Sequence, residues 1–411
     1  MSDHPLLPSG VGTQTKYIME SLLETGKFQI VSLAGAVSHQ DYTPRKTPEW
    51  GDDWLFIPID GYGNPDILRS ALRQHRPDIV YFMTDPRFYE WLWTMENEVR
   101  ESVPMIYYHV WDNYPYPIYN SVWYNSNDFI ATISKVTSDI VQTVAPNVDE
   151  KYIPHAVDPK FFFKRTDMDS KQKIKQMRKG INADGKTVFL WNNRNARRKQ
   201  SGSLLFWFKK FLDKVGHDKA VLIMHTDLRD QHGQPLDYLA DHLELNKGQI
   251  VFSTQKLTPY DLSLMYNMAD CTLNISDAEG FGLGTLESLA CGTPIIVNMT
   301  GGLQEQVTDG EKYFGIGIKP SSRAIIGSMQ VPFIREDRIN EDDFIDALEK
   351  IHNLSSEERE ELGNLGIKHV NKNYNFDNFK ETWVNTMLEL HEKNGSWETR
   401  KNYSPWRVTE I

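Results

Sequence analysis

Glu279-Gly-Phe-Gly-Leu-Gly-Thr-Leu-Glu287, continuing as Ser-Leu-Ala-Cys-Gly-Thr-Pro294, is the stretch on which the reading of this chain turns. Before it, Ala269-Asp-Cys-Thr-Leu-Asn-Ile275 is an apolar run short enough to be one buried strand, so the local layout is strand, turn, helix. A helix start offers unpaired amide N–H groups and the positive end of the helix dipole, a ready place for an anion such as a diphosphate. Gly280, Gly282 and Gly284 carry no Cβ to obstruct the approach of a ligand. Glu287, one turn into the helix, is an acceptor-only carboxylate able to take both hydroxyls of a ribose, and Glu279 on the turn is placed to hold the hydroxyls of a sugar. A plain turn with two solvated glutamates is the alternative. Against it, glycines, two acids, a helix start and a following strand (294–298) coincide here.

The spacing Glu279-x7-Glu287, with Ala290-Cys-Gly-Thr-Pro294 and Thr300-Gly-Gly302 after it, resembles the donor site of retaining glycosyltransferases of family 4. The resemblance implies the α/β GT-B architecture, two Rossmann-like domains facing each other across a cleft, with Phe281, Gly282 and Leu283 at the nucleotide sugar. Members commonly have proline where Gly284 stands, a departure that loosens the turn without removing a functional group.

Composition narrows the class. The chain of 411 residues is long enough for two domains with separate cores. A formal net charge of −11 argues against general nucleic-acid binding, which needs a basic footprint. Cys271 and Cys291, the only cysteines, read as small buried hydrophobes of a reducing compartment, neither a disulfide nor a metal site. No apolar run reaches the ~18 residues of a membrane span and no signal peptide is visible, so the expected location is cytoplasmic, with weak peripheral membrane contact left open.

Short apolar runs alternate with helical stretches, the pattern of parallel α/β sheets. Strands are expected at 28–34, 79–83, 105–109, 129–134 and 151–154, and again at 187–192, 220–225, 249–252, 271–275 and 294–298. The domain boundaries expected are 1–158 for an acceptor-side domain, 159–374 for a linker plus nucleotide-sugar domain, and 375–411 for a helix crossing back to the first domain and a tail. Trp397, Tyr403 and Trp406 are costly in a free tail, so the tail is expected to pack.

A transferase must stabilise a diphosphate that gains negative charge as the glycosidic bond breaks, with a metal or with fixed cations. Arg194-Asn-Ala-Arg-Arg-Lys199 follows the strand ending at Asn192, and the resemblance places Arg194 and Lys199 on the phosphates. Arg197 and Arg198 stand one step away in register. Asp167-Met-Asp169 is a literal Asp-x-Asp, but it falls in the polar linker, and no metal or other cofactor is expected. His109 ends its strand and matches the family's first-domain histidine near the reacting centre. Gly10-Val-Gly12 resembles the family's first glycine-rich loop, beside the donor phosphate. The nucleobase is expected against backbone at 254–257, including Leu257.

Among the clustered aromatics from Tyr107 to Tyr124, Trp111 and Tyr114 are candidates for a sugar face. Arg69, Arg73 and Arg76 form one helical stripe that is read as a solvated face, with an anionic lipid or acidic acceptor as the alternative. Met1-Ser-Asp-His-Pro-Leu6 is polar and short for a central strand. The expectation is a start placed late and a slot in the first sheet with unpaired backbone on both edges.

The function expected is a retaining, metal-independent transfer of a hexose from a nucleotide diphosphate sugar to an acceptor hydroxyl on a glycan, lipid or small molecule. The donor diphosphate itself can take the acceptor's proton. The alternatives are a non-catalytic sugar-nucleotide-binding protein and a glycosyl phosphorylase.

Overall fold

The computed structural model describes residues 1–407 and separates into two units. The first comprises Met1–His155, Ser328–Pro332 and the chain from Asp377 on; the second comprises Ala156–Gly327 and Phe333–Phe376.

In the first unit β1 (Ser2–Asp3), β2 (Ile30–Gly35), β3 (Arg45–Lys46) and β4 (Trp54–Pro58) form one sheet in the order β1-β2-β4-β3. A second sheet runs β5 (Val80–Met83), β6 (Met105–His109), β7 (Phe129–Thr132), β8 (Asp149–Tyr152). All neighbours are parallel except β3 with β4.

The expected slot is not there. Ser2 and Asp3 pair with Ala34 and Gly35 of β2, while Met1 donates its amine to the Tyr81 carbonyl (2.6 Å) and accepts from the Met83 amide (3.1 Å). Two polar residues can occupy this buried place because their side chains are satisfied. The Asp3 carboxylate accepts from the Ser9 hydroxyl at 2.6 Å and the Tyr62 hydroxyl at 2.8 Å, removing the main cost of burying it.

The helix Phe376–Asn394 and the tail are part of this unit. Trp383 is fully buried with its ring edge-on to Tyr81 and Tyr108. Further on, Arg400 pairs with Asp128 at 2.6 Å, Trp397 donates to the Pro77 carbonyl at 3.0 Å, and Tyr403 donates to Asn97 at 2.7 Å. The tail thus packs as far as Trp406, which bonds to Asn97 and Glu96; residues 408–411 lie outside the described residues. Part of the arginine stripe is taken up the same way: Arg69 is bidentate on Glu98, and Arg76 binds Glu398 and lies over the Trp397 ring.

In the second unit, six strands form one parallel sheet: β9 (Thr187–Asn192), β10 (Ala220–His225), β11 (Ile250–Ser253), β12 (Cys271–Asn274), β13 (Ile295–Asn298) and β14 (Gly315–Ile318). Their order, β11-β10-β9-β12-β13-β14, is that of a doubly wound Rossmann sheet, so its topological switch point falls between β9 and β12. Parallel strands covered on both faces read as unbroken apolar runs, which is why Val-Phe-Leu-Trp and Val-Leu-Ile-Met were legible. Phe189, Trp191, Leu222, Met224 and Leu273 lie fully buried in its core, each contributing about 1.5–3 kcal/mol.

In this unit β14 and a two-stranded ribbon escaped the sequence, as β1, β3 and β4 did in the first unit. β14 is Gly-Ile-Gly-Ile, and glycine hides strand character; here it is required, because a Cβ on Gly315 would meet the Ile295 carbonyl oxygen at 1.9 Å. The ribbon β15 (Ser322–Ile326) with β16 (Ile334–Arg338) is antiparallel and largely polar.

The expected linker holds the helix Met168–Gly180, and Asp167 is its N-cap, accepting from the Ser170 amide at 2.9 Å. Asp169 pairs with Lys173. Asp-x-Asp here is thus a helix start.

Candidate functional site

Ligands of doubly wound sheets bind beyond the carboxyl ends of the strands at the switch point. The loop 193–200 leaves β9 and the loop 275–282 leaves β12, so both meet there. They are joined rung by rung. The Asp277 amide donates to the Arg198 carbonyl (2.8 Å), the Arg198 guanidinium donates to the Ala278 carbonyl, Lys199 forms an ion pair with Glu279, and Gln200 donates to Asp277 at 2.6 Å. Arg197 reaches sideways to Glu336 on β16. The base of the loop is fixed by Asn195, fully buried, which donates to the carbonyls of Leu228 and Gln234 and accepts from Ser201.

Glu279 is 12% exposed and Lys199 9%, so this is a nearly buried ion pair. Burial pushes the Glu279 carboxyl upward, but Lys199 and Arg198 outweigh it and hold the group down at about 2. Asn274 and Ser276 also point at the same carboxylate oxygen. Gly301 is indispensable to the turn: its φ is +48°, and a Cβ there would meet the Glu279 carbonyl at 1.9 Å. The neighbouring Gly302 amide donates to that carbonyl at 3.0 Å.

Gly282, at φ +88°, is the N-cap of the helix Leu283–Ala290, and no side chain caps it. Phe281 is buried edge-on to Tyr374, and Gln306 holds the Phe281 carbonyl at 2.7 Å. Leu283 is half-buried.

One turn on, Glu287 accepts from the Tyr266 hydroxyl (2.7 Å), which accepts in turn from the Asn192 amide group (2.7 Å). Burial pushes this carboxyl up to about 7, with the Tyr266 bond opposing. The cations thus favour the charged form of Glu279, while burial favours the neutral form of Glu287. Leu257 is half-buried in the loop between β11 and the helix Pro259–Met268.

Arg194 stands apart from this cluster. It is 61% exposed and held by Asp230 (2.6 Å) and His232 (2.7 Å). Among the three basic residues next to it, the ones joined to the Glu279 turn are Arg198 and Lys199.

The first-unit candidates are placed as follows. Gly10 and Gly12 lie in the first turn of the helix Gly10–Leu23, where the Ser9 hydroxyl accepts from the Gly12 amide at 3.0 Å, so the glycines begin a helix instead of forming a loop. His109 is fully buried at the carboxyl end of β6, edge-on to Tyr107 and Tyr124, and neither ring nitrogen has a hydrogen-bond partner. Burial lowers it to about 3, keeping it neutral. Trp111 is buried against Tyr119, and the Tyr114 hydroxyl donates to Asp139 at 2.7 Å.

Asn192, Tyr266 and Asn274 were missed by sequence reasoning, because each matters through a partner reached only by folding; Arg198 was seen only as a neighbour in register. Among the described residues no cluster of His, Cys, Asp and Glu is arranged to hold a metal ion, and no helix is long and apolar enough to cross a membrane.

Against this geometry stand the similarities to known proteins. The profile of the family Glycosyl transferases group 1 matches residues 172–369. A curated relative, alpha-monoglucosyldiacylglycerol synthase of Streptococcus pneumoniae, is 27% identical over 192 residues, covering 46% of this chain and 42% of its own. The chain thus spans less than half the length of the curated relatives it matches. Sucrose-phosphate synthase from Thermosynechococcus elongatus superposes with a TM-score of 0.74 over 96% of this chain and 98% of its own at 14% identity. Anabaena HepE, solved in complex with UDP and glucose, does so with a TM-score of 0.68 over 94% and 98% at 12% identity. At such identities the structural likeness speaks for the fold. Residues 172–369, which carry the Lys199–Glu279 and Tyr266–Glu287 pairs, belong to the Glycosyl transferases group 1 family, on a chain with the α/β fold of GT-B glycosyltransferases.

Proposed function

We propose that this chain is a retaining, metal-independent glycosyltransferase that moves a hexose from a nucleotide diphosphate sugar to an acceptor hydroxyl. The observation that carries the reading is the nearly buried Lys199–Glu279 ion pair at the switch point, eight residues before a second carboxylate at a helix start with no capping side chain. In this reading Glu287 takes the ribose hydroxyls, the amides near Gly282 with Lys199 and Arg194 take the diphosphate, and Glu279 orients the sugar. Leu257 and its neighbours meet the base. Fixed cations and helix-start amides supply the charge stabilisation that a metal supplies elsewhere.

From the first unit the reading assigns His109 to the sugar and Gly10 with Gly12 to the phosphate. Two buried ring nitrogens without partners are costly unless something uses them, which supports a role for His109. Structural neighbours bound to UDP and glucose make uridine diphosphate sugars the first donors to test.

The test is a thermal-shift screen of nucleoside diphosphates and their sugars with and without excess chelator. One nucleotide should stabilise the protein, by about 2.7 kcal/mol at 100 times its dissociation constant, and the chelator should leave the shift unchanged. No shift with any nucleotide would overturn the reading. Stabilisation without sugar transfer would make the chain a binding protein, and inversion of the anomeric configuration by NMR would remove the retaining mechanism.

A further inference from the structure

The end of the second unit's sheet opposite the donor loops carries a concavity of about 500 Å³. Ala269 and Asp270 lead into β12 and Pro294 into β13, so it lies at the strands' amino ends, a strand length (roughly 13–20 Å) from the carboxyl ends where Glu279 stands. Six of its lining side chains are cationic and three are acidic, in a chain whose formal net charge is −11. Such a local reversal of sign marks a place that attracts anions.

Two of the three acids, Asp270 and Glu360, are already engaged, and the third, Asp184, is exposed. Asp270 accepts from the Val188 amide at 2.7 Å and from Arg178 at 3.2 Å, with Arg359 at 3.6 Å, and Glu360 binds Lys164 at 2.5 Å. That leaves Lys171 and Lys175. They stand one turn apart on the helix Met168–Gly180, on the stripe that continues to Arg178; neither ammonium forms a salt bridge, though Lys171 lies close enough to Glu360 to help lower its carboxyl. Lys173, on another face of the same helix, does have one, in Asp169. Arg178 suits the last turn of the helix, but like charges one turn apart are mildly destabilising, so helix stability does not explain Lys171 beside Lys175. A cavity of this size suits a small metabolite.

We propose that this concavity is a second anion site, which binds a small phosphorylated molecule through Lys171 and Lys175, while Arg178 and Arg359, held by backbone carbonyls and Asp270, add only their longer-range charge. The site is separate from the donor site and does not depend on the reading given for it.

The experiment is titration calorimetry of the full chain with ribose 5-phosphate, using ribose as the neutral control, on wild type and K171A/K175A. Both lysines are exposed, so the double variant should keep the wild-type melting temperature. Submillimolar binding of ribose 5-phosphate but not of ribose is expected. The double variant should weaken it at least about tenfold, since each charge-assisted hydrogen bond lost is of that order. Added salt should weaken it as well. Absence of ribose 5-phosphate binding overturns the proposal, as does binding that survives K171A/K175A.

Discussion

Glu279 and Glu287 are the same residue type, eight positions apart on one turn and helix, yet their surroundings set them about five pH units apart, near 2 and near 7. Burial raises both. At Glu279 two cations brought from the β9 loop reverse the effect; at Glu287 the partner is a neutral phenol, which can only moderate it. The comparison teaches that a motif specifies where carboxylates stand, while residues about 80 positions away in sequence decide which one is charged. A fixed anion suits electrostatic positioning of a reacting sugar, and an acid near its midpoint suits a group that can take up charge when ribose hydroxyls arrive.

The sharpest way to break the comparison is Lys199→Met. It leaves a nearly buried carboxylate without its main counter-charge, and breaking such a pair costs about 3–5 kcal/mol. The pH dependence should also change sign. In wild type the depressed Glu279 contributes stability above its unfolded value of about 4.5, lost as pH falls toward 2. In the variant its value should rise above 4.5, so stability should fall as pH increases past that point. Urea unfolding at pH 4 and pH 8 reads both effects, and an unchanged midpoint would show that the pair does not govern Glu279.

Next in size is Glu279→Gln, which keeps the shape and removes the charge. Turnover should fall by about 10²–10³ if preorganised electrostatics is its role. Near-normal transfer rates would place the reacting sugar elsewhere.

Glu287 sharpens the comparison from the other side. Its raised value means that its contribution to stability is fully present below about 4.5 and is lost as pH rises through about 7, by up to about 3 kcal/mol. Glu287→Gln should flatten that loss in unfolding midpoints measured from pH 5 to 9. If the carboxylate takes the ribose hydroxyls, nucleotide affinity should rise from pH 6 to 8 more steeply in wild type than in the glutamine variant. Equal slopes would remove the ribose role.

The smallest effect on stability belongs to Arg194→Ala. This exposed pair with Asp230 should matter to unfolding by less than about 1 kcal/mol. Loss of a charge-assisted bond to the diphosphate should still weaken nucleotide binding about tenfold or more. Binding unchanged in calorimetry would leave the phosphates to Lys199, Arg198 and the helix start.

The same division between local and distant causes explains what could be read in advance. The strands β9, β10, β12 and β13 were legible to within a residue, because a strand buried on both faces has to be apolar along its whole length. Ser2-Asp3 was not legible as a strand. Its polarity is offset by Ser9 and Tyr62, partners that only the fold supplies. Gly315-Ile-Gly-Ile was missed because close backbone packing, and not side-chain preference, selects its glycines. At the site, Glu279, Gly282 and Glu287 stood in one quoted stretch. Asn192 and Tyr266, which set the character of Glu287, had no local signal.

The sequence by itself therefore determined the strand-turn-helix unit, its two carboxylates and the alternation that makes a doubly wound sheet, since all of these are carried by residue type and short-range spacing. Only the tertiary structure decided that Lys199 meets Glu279 while Arg194 turns to Asp230, and that His109 is sealed among tyrosines. The same holds for the cationic concavity at the far end of the sheet. Each of these depends on which distant groups share a low-dielectric neighbourhood, and Coulomb interaction and desolvation act through space, not along the chain.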